Sequence, residues 1–299
     1  MPDSWPTAPA HFLTGTEPGA EGILALVDRA IELKAAPLSV RPLEGASIAL
    51  IFEKPSTRTR VSFEVAVTEL GGHAVVLRGD EMQLSRGESP RDTGLVLSRH
   101  VQAIAIRTHS DEVVSAIASA SSVPVINMLT DGHHPCQALG DLVTLKETFG
   151  HLDGLKLAFV GDGNNVARSL ALVAGLVGVQ VTVASPSGYQ LEPLPGLVIT
   201  DDPAEAAMGA DAIYADAWVS MGDEATAAQR LSALAPYCLD DALLDLGAPG
   251  AVALHCLPAH PGQEITPEVL YGSRQRIWDQ AENRRHAQKA LLEAIVRAI

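Results

Sequence analysis

Short apolar runs alternate with longer amphipathic segments along most of the chain. In the first half, four apolar runs predict buried strands at Ile48–Phe52, Ala74–Leu77, Ala103–Ile106 and Val123–Ile126. Between the first two lies a segment with helical spacing, Thr57–Leu70, which ends at a Gly-Gly pair. Strands that alternate with helices in this way are typical of parallel sheets built from βαβ units.

The same alternation starts again near residue 150. Four further runs predict strands at Leu155–Val160, Val179–Ala184, Ala212–Tyr214 and Val252–His255. A helix is predicted at Val166–Leu176, and a long amphipathic helix at Asp279–Ile299. The restart predicts an α/β protein with two doubly wound parallel-sheet domains.

The predicted domain boundaries follow from a long helical pattern at His134–Phe149. We assign residues 1–134, together with the C-terminal helix 280–299, to the first domain. Residues 135–150 form a linking helix, and residues 151–279 form the second domain. A chain of 299 residues has a natural length for two domains of roughly 150 residues each.

Composition and charge exclude several classes of protein. Hydrophobic residues make up 47% of the chain, which is enough for two cores and argues against disorder. Apolar stretches such as Leu170–Val179 are far shorter than the ~20 residues of a membrane span. Residues Met1–Thr14 lack the basic and apolar regions of a secretory signal. The formal net charge of −15 argues against nucleic acid or an anionic membrane as partner.

The three cysteines, Cys136, Cys238 and Cys256, are scattered without CxxC spacing. We therefore expect neither a disulfide framework nor a zinc site, and we expect a cytoplasmic location. Because no other Cys/His set has metal-ligand spacing, we expect no metal ion and no organic cofactor.

The segment Phe52–Arg60 (FEKPSTRTR) combines hydroxyl and guanidinium groups at a predicted strand-to-helix turn. A helix N-terminus already favours an anion through its free N–H groups and its dipole. Ser56, Thr57 and Thr59 add hydroxyl donors, and Arg58 adds a planar fork suited to phosphate. The alternative is a capping serine followed by arginines on a solvated face. The density of donors within five residues favours a phosphate site.

This motif resembles the carbamoyl phosphate loop of the aspartate and ornithine carbamoyltransferase superfamily. Three further segments occur in the order of that superfamily: His134–Gln137 (HPCQ), His255–Pro258 (HCLP, the form of the ornithine branch) and Glu282–Arg284 (ENR). The resemblance covers about residues 12–294. It implies an active site in the crevice between the two domains. It also implies transfer of the carbamoyl group from carbamoyl phosphate to the side-chain amine of L-ornithine, giving citrulline and phosphate.

The resemblance also implies which residues bind carbamoyl phosphate. They are Ser56, Thr57, Arg58, Thr59, Gln83, Arg107, His134, Gln137, Cys256, Leu257 and Arg284. Taken alone, a single histidine is more often packed or on the surface, and Arg107 is consistent with a simple strand-end charge. However, Arg107 ends a predicted strand, where α/β sheets bind ligands, and His134 precedes a helix-starting proline.

The second substrate is expected at two loops of the second domain. The turn Gly161–Asn165 (GDGNN) suggests dinucleotide binding, but Val166 occupies the position of the third glycine, which excludes that reading. By resemblance, Asn165 contacts the amino-acid end of ornithine.

Asp216 follows a predicted strand and begins the pattern Asp-x-Trp-x-Ser-Met-Gly. The alternative role is a helix-capping aspartate. The pattern resembles the ornithine-binding loop of the family, which implies that Asp216 pairs with the cationic amine while Ser220 and Met221 contact the amino-acid end. A carboxylate here would repel aspartate, so ornithine is the favoured acceptor.

Cys256 alone would be read as a small buried hydrophobe. By resemblance it is an active-site thiol that orients both substrates, and Leu257–Pro258 is expected to be a cis peptide. The predicted catalytic residues are Arg58, Arg107, His134, Asp216 and Cys256. In the expected mechanism the neutral amine attacks the carbamoyl carbon, and preorganised donors stabilise the tetrahedral oxygen.

Gln83 lies in a polar segment without periodicity, Gly79–Glu88, which alone is typical of a surface loop. In the family the corresponding loop reaches a neighbouring subunit's site, which implies a homotrimer or a multiple of trimers.

Two alternatives to the ornithine-specific function stay open: a carbamoyltransferase for putrescine or an N-acylated ornithine, and a non-catalytic relative that binds a phosphate ligand. The sequence departs from the family in a short 185–202 segment and at His260–Gly262, and both changes concern the ornithine side.

Overall fold

In the computed structural model, residues 11–219 and 224–297 are described. The chain divides into two compact units. Unit 1 comprises Met1–Val143 and Glu282–Ile299, and unit 2 comprises Thr144–Ala281.

Unit 1 is built on a four-stranded parallel sheet with the order β2-β1-β3-β4. Its strands are β1 (Ser47–Phe52), β2 (His73–Arg78), β3 (Ala103–Arg107) and β4 (Val125–Leu129). Its helices are α1 (Gly19–Ala35), α2 (Thr57–Glu69), α3 (Pro90–Leu97) and α4 (Asp111–Ala120). Two long helices, α5 (Pro135–Phe149) and α11 (Ile277–Arg297), each contain a boundary between the units.

Unit 2 is built on a five-stranded parallel sheet with the order β7-β6-β5-β8-β9. Its strands are β5 (Lys156–Val160), β6 (Gln180–Ala184), β7 (Val198–Thr200), β8 (Ala212–Ala215) and β9 (Val252–His255). Its helices are α6 (Asn165–Leu176), α7 (Pro203–Ala207), α8 (Ala227–Leu234), α9 (Asp241–Leu244) and α10 (Pro267–Leu270).

The strand order of each sheet reverses at one point, between β1 and β3 in unit 1 and between β5 and β8 in unit 2. Connections leave such a point in opposite directions, so the loops at the carboxyl ends of the two strands frame an open crevice. The register aligns these ends, because Phe52 pairs with Arg107 and Val160 pairs with Ala215. In each unit, the two loops that follow these strand ends are therefore neighbours.

The predicted fold class is confirmed, and all eight predicted strands are present, Val252–His255 with the predicted ends and the others with ends shifted by up to three residues. Two segments differ from the prediction. The short stretch 185–202, for which no strand was predicted, contains the edge strand β7, which is too short to show periodicity. The segment Gly79–Glu88, expected as a loop, contains two 3-10 turns, Gly79–Glu81 and Gln83–Arg86, and the second ends at Gly87 with a φ of 99°.

Buried charges attach α11 to the N-terminal helices of unit 1. Lys289, which is fully buried, donates to Glu69 at 2.7 Å and to the Pro37 carbonyl. Glu293, also fully buried, accepts from the Arg29 Nε at 2.7 Å. Because a buried charge is costly without a partner, these pairs fix how α11 lies in unit 1. None of the helices within residues 11–219 and 224–297 is long and apolar enough to cross a bilayer.

Candidate active site

The loop after β1 presents the N-terminus of α2. Ser56 has an extended backbone and accepts a hydrogen bond from the Thr59 N–H at 3.2 Å, so it is the N-cap of α2. The Ser56 side chain caps only one N–H group of the first turn of α2, that of Thr59. Its role as N-cap therefore does not exclude phosphate binding at the same helix N-terminus. Thr57 and Arg58 are exposed, whereas Thr59 is fully buried.

Thr59 is held by an arginine from the far end of the chain. Arg284 of α11 donates from Nη2 to the Thr59 Oγ1 at 2.8 Å, and both side chains are buried. This contact depends on Gly140 of α5, where an added Cβ would lie 3.1–3.3 Å from the Cγ, Cα and N atoms of Arg284. A glycine thus lets the two helices approach closely enough for Arg284 to reach Thr59.

His134 lies within electrostatic range of three arginines. Burial first, and then the positive charges of Arg284, Arg107 and Arg58, hold the pKa of His134 well below its ordinary value of 6.5. The imidazole is therefore neutral at physiological pH. The structure brings together four residues that the sequence places up to 226 positions apart, from Arg58 to Arg284.

The loop that precedes His134 is tied to its surroundings by side-chain contacts. Asp111 accepts from the Thr130 hydroxyl and from the His133 Nδ1, the latter at 3.1 Å. The buried Lys54 side chain donates to Asp131 in the same loop. Lys54 and Asp131 were not predicted as site residues, although Lys54 stands inside the predicted phosphate motif.

Gln137 lies in the first turn of α5 and is almost fully buried. Its Nε2 donates to Asp141 at 2.8 Å, which fixes the orientation of the amide. Its Oε1 is buried and has no hydrogen-bond partner among the described residues. A carbonyl oxygen in that state is suited to accept a hydrogen bond from a ligand N–H group.

In unit 2, Asp216 follows β8 and is buried. Its Oδ1 accepts from the Ala217 N–H at 2.8 Å and from the Cys256 thiol at 2.7 Å. Its Oδ2 accepts from the Asn164 Nδ2 at 2.7 Å. All three donors are neutral groups, so no described cation compensates the charge of this carboxylate. Asn165, the predicted contact, is the half-buried first residue of α6, while Asn164 was not predicted.

The turn after β9 carries Cys256 and Leu257. Leu257–Pro258 is a cis peptide, as expected, and Leu257 has a φ of 61°. The Leu257 N–H donates to the His255 Nδ1 at 2.8 Å, and the His255 Nε2 lies 3.2 Å from the Oε1 of the fully buried Glu264. Because Nδ1 accepts, Nε2 carries the proton of the neutral ring and donates to Glu264. His255 and Glu264 thus hold the turn that presents Cys256.

Asp216, His255 and Cys256 each offer a ligand atom, and these atoms lie within 4.8 Å of one another. This grouping was not apparent from the sequence, because Asp216 belongs to a different motif from His255 and Cys256 and lies about forty residues before them. Both imidazole nitrogens of His255 are already engaged within the protein, and the Cys256 thiol donates to Asp216. The ligand atoms of these three residues are thus used in hydrogen bonds within unit 2.

Arg230 of α8 connects three strand-end loops of unit 2. Its Nη1 donates to Asp162 at 2.8 Å and lies 3.4 Å from the Trp218 carbonyl oxygen. Its guanidinium carbon lies 5.3 Å from the centre of the Tyr189 ring. These loops carry Asn164 and Asp216, so Arg230 supports both.

The remaining predicted residues divide into two groups. Gln83 lies exposed at the start of the turn Gln83–Arg86. Ser220 and Met221 lie outside the described residues.

Two family models match the chain. The carbamoyl-P binding domain of aspartate/ornithine carbamoyltransferases matches residues 10–147, and the Asp/Orn binding domain matches residues 153–295. An ornithine carbamoyltransferase of Acidothermus cellulolyticus is 50% identical, covering 96% of this chain and 97% of its own. The solved ornithine carbamoyltransferase of Pyrococcus furiosus is 42% identical with a TM-score of 0.90, covering 96% of this chain and 97% of its own. A solved acetylornithine transcarbamylase complexed with acetylcitrulline is 30% identical with a TM-score of 0.85, covering 95% of this chain and 98% of its own.

Proposed function

The chain belongs to the aspartate/ornithine carbamoyltransferase family, and we infer from this membership and from the two sites that it makes citrulline from ornithine. It is a carbamoyltransferase, which moves the carbamoyl group of carbamoyl phosphate to the side-chain amine of L-ornithine. The products are L-citrulline and phosphate.

One observation supports the amine acceptor most directly. Among the described residues, Asp216 receives hydrogen bonds only from an amide, a thiol and a backbone N–H, so none of the cations in that part of the chain compensates its negative charge. A buried carboxylate in this state favours a cationic partner and disfavours a second carboxylate. The side-chain ammonium of ornithine meets this requirement, and the side chain of aspartate does not.

Carbamoyl phosphate is assigned to the carboxyl end of the sheet of unit 1. Ser56, Thr57, Arg58 and the N-terminus of α2 are proposed to bind its phosphate, because free N–H groups and guanidinium forks suit phosphate oxygens. Thr59, Arg107 and the neutral His134 are proposed to donate to the carbamoyl oxygen, with Arg284 spanning both ends.

The amide end of carbamoyl phosphate needs acceptors. The buried Gln137 Oε1 has no described partner, and the Leu257 carbonyl belongs to the cis turn beside Cys256. We assign both to the carbamoyl NH2 group, and Cys256 to orientation without a covalent role. The donors and acceptors together fix which face of the carbamoyl carbon is attacked.

In the proposed reaction the neutral amine attacks the carbamoyl carbon and forms a C–N bond. The carbonyl oxygen becomes negative in the tetrahedral intermediate, where preorganised donors stabilise it. The C–O bond to phosphate then breaks, phosphate leaves with the electron pair, and the new nitrogen passes one proton to that phosphate. An amine with a pKa of about 10.4 is mostly protonated in water, so Asp216 first binds the ammonium. The ammonium then releases its extra proton to solvent, and Asp216 orients the neutral amine. Asn165, Ser220 and Met221 are proposed for the amino-acid end.

The proposal also concerns the oligomeric state, the cellular location and the metabolic role of the protein. Gln83 is exposed on a short turn of unit 1, and we propose that it reaches the phosphate site of a neighbouring copy in a homotrimer or a multiple of trimers. We also propose a cytoplasmic enzyme of arginine metabolism. A fully active monomer would contradict the shared site.

A second candidate is transfer to an N-acylated ornithine, since the acetylornithine transcarbamylase shares the fold at 30% identity. The curated ornithine enzymes are closer at about 50% identity, which favours the free amino acid. Putrescine as acceptor and a non-catalytic phosphate-binding relative are the other outcomes to test.

The test is product formation from carbamoyl phosphate with ornithine, N-acetylornithine, putrescine and aspartate as acceptors. We expect turnover confined largely to ornithine. Turnover with another acceptor would retain the phosphate site and refute the assignment of Asp216. The control is Arg58→Ala, which should abolish turnover, whereas near-normal activity of that variant would refute the phosphate site itself.

A further inference from the structure

We propose that Asn164 is a positioning residue that aims the Asp216 carboxylate at the amine of the second substrate. Asn164 lies in the turn between β5 and α6, and Asp216 follows β8, the neighbouring strand at the reversal point of the sheet. The assignment rests on the proposed role of Asp216.

The orientation of the Asn164 amide is determined by the helix that it caps. Its Oδ1 accepts from the backbone N–H groups of Val166 at 2.9 Å and Ala167 at 3.2 Å. Backbone N–H groups can only donate, so the atom facing them must be oxygen. The amide nitrogen therefore points the other way, toward Asp216, where it lies 2.7 Å from Oδ2.

This contact makes the carboxylate rigid. The Asn164 amide fixes Oδ2, while the Ala217 N–H and the Cys256 thiol fix Oδ1 at 2.8 and 2.7 Å. With donors on both oxygens, rotation of the carboxylate would break at least one bond. The remaining lone pairs thus keep one direction, which is what an amine needs if its own lone pair is to be aligned for attack.

The contact also favours a charged partner. An amide N–H stabilises a carboxylate without neutralising it, whereas a lysine or arginine in its place would consume the charge that the substrate ammonium needs. The structure thus assigns two roles to Asn164. It orients the Asp216 carboxylate, and it leaves the negative charge of that carboxylate free to pair with the substrate ammonium. A helix cap alone would require only the oxygen of this side chain.

That difference defines the experiment. Asn164→Ser and Asn164→Asp both keep an oxygen that can cap α6, and both lose the amide N–H that reaches Asp216. The serine hydroxyl can donate, but its side chain is one bond shorter than that of asparagine. Asn164→Asp also places a second carboxylate against the first. The matched control is Asp202, which caps α7 by accepting from Ala204 and Glu205 at 2.8 and 3.3 Å, the same positions in the helix. Asp202→Ser tests what a change of cap does by itself.

We expect Asn164→Ser to lower kcat/KM for ornithine about ten- to hundredfold, as for loss of a hydrogen bond to a charged group. The KM for carbamoyl phosphate and the melting temperature should stay close to those of Asp202→Ser. For Asn164→Asp we expect the acid limb of the pH profile to move toward alkaline pH, because two adjacent carboxylates share a proton. Raising the pH should then restore part of its activity.

The results that would overturn the proposal are specific. It fails if both Asn164 variants keep the wild-type kcat/KM for ornithine and the wild-type pH profile. It also fails if their losses equal that of Asp202→Ser, since Asn164 would then be a cap only. Asp216→Asn separates this failure from that of the proposed function. An active Asp216→Asn refutes the role of Asp216, whereas an inactive Asp216→Asn beside normal Asn164 variants refutes only the role of Asn164.

Discussion

Replacing Arg284 by methionine tests the buried arginine that joins the C-terminal helix α11 to Thr59, in the proposed phosphate-binding segment after β1. The substitution removes a donor that lies 2.8 Å from the Thr59 Oγ1 in a buried environment. A hydrogen bond to a charged group contributes about 1.5–3 kcal/mol, so kcat/KM for carbamoyl phosphate should fall about ten- to 150-fold. Loss of the direct contact that we propose with the substrate would add to this.

The same substitution has a second consequence that does not involve substrate. Arg284 is the largest electrostatic cause, after burial, of the lowered pKa of His134. Removing that positive charge should raise the pKa of His134 toward its ordinary value, while burial and the two other arginines keep it lowered. The measurement is an NMR titration of the His134 ring protons in the free enzyme, beside steady-state kinetics.

The control is Arg285→Met, one position further along the same helix. Arg285 is partly exposed and pairs with Glu282 and Glu69 at 3.2 and 3.3 Å. The variant has the same change of charge and of side chain, but it should leave both the titration of His134 and kcat/KM for carbamoyl phosphate nearly unchanged. The reasoning is refuted if Arg284→Met leaves the titration of His134 unchanged, or if both variants shift it equally.

Three further predictions concern stability and the second site. Glu69→Ala leaves the fully buried Lys289 without its carboxylate partner at 2.7 Å and should lower the free energy of unfolding by about 3 kcal/mol in a urea titration. Arg230→Ala removes the ion pair with Asp162 at 2.8 Å and should raise the KM for ornithine but not that for carbamoyl phosphate, as measured by initial rates. His134 has a lowered pKa in the folded state, so below about pH 6.5 the unfolded chain binds a proton that the folded chain does not. The free energy of unfolding should therefore decrease by about 1.4 kcal/mol for each pH unit below that value, until the pH reaches the pKa of His134 in the folded state.

Each of these three predictions has a control variant. The double variant Glu69→Leu/Lys289→Met should recover most of the stability, because a well-packed apolar pair replaces the ion pair, and no recovery would contradict a charge-based cost. Arg230→Lys should restore only part of the ornithine affinity, since an ammonium lacks the planar fork. For His134, the comparison is the pH slope of His134→Asn, and equal slopes would contradict the assignment.

Much of the fold was accessible from pattern alone. The run Val252–His255 has three consecutive apolar residues before its histidine, as expected for a strand covered on both faces, and the structure reproduces that strand without a shift. The helical spacing before the Gly-Gly pair also predicted α2, which begins at Thr57 as expected and ends one residue early, at Glu69. The edge strand β7 was missed because it has only three residues, one exposed and two half-buried, and so short a segment carries no periodic signal.

The sequence predicted which residues belong to the candidate site, but it did not predict the contacts that those residues make. Two residues that the motifs did not mark, Asn164 and Arg230, make contacts that orient the second site. Asn164 was detectable in principle as a capping asparagine before a helix, but nothing in the sequence indicated that its other face meets Asp216. That contact exists because β5 and β8 are neighbours, which is a property of the sheet order.

By itself, the sequence determined where strands and helices form, which loops follow strand ends, and which chemical groups those loops carry. These features depend on neighbours along the chain, through periodicity, capping and turn formation. Only the tertiary structure decided that Arg284 donates to Thr59, that the charges of three arginines lower the pKa of His134, and that Asn164 donates to Asp216. Such contacts join residues that are distant in sequence, and they depend on sheet order, strand register and the close approach of helices at Gly140. The physical reason is that a hydrogen bond is made or lost within a few tenths of an ångström, a distance that packing sets and local sequence does not.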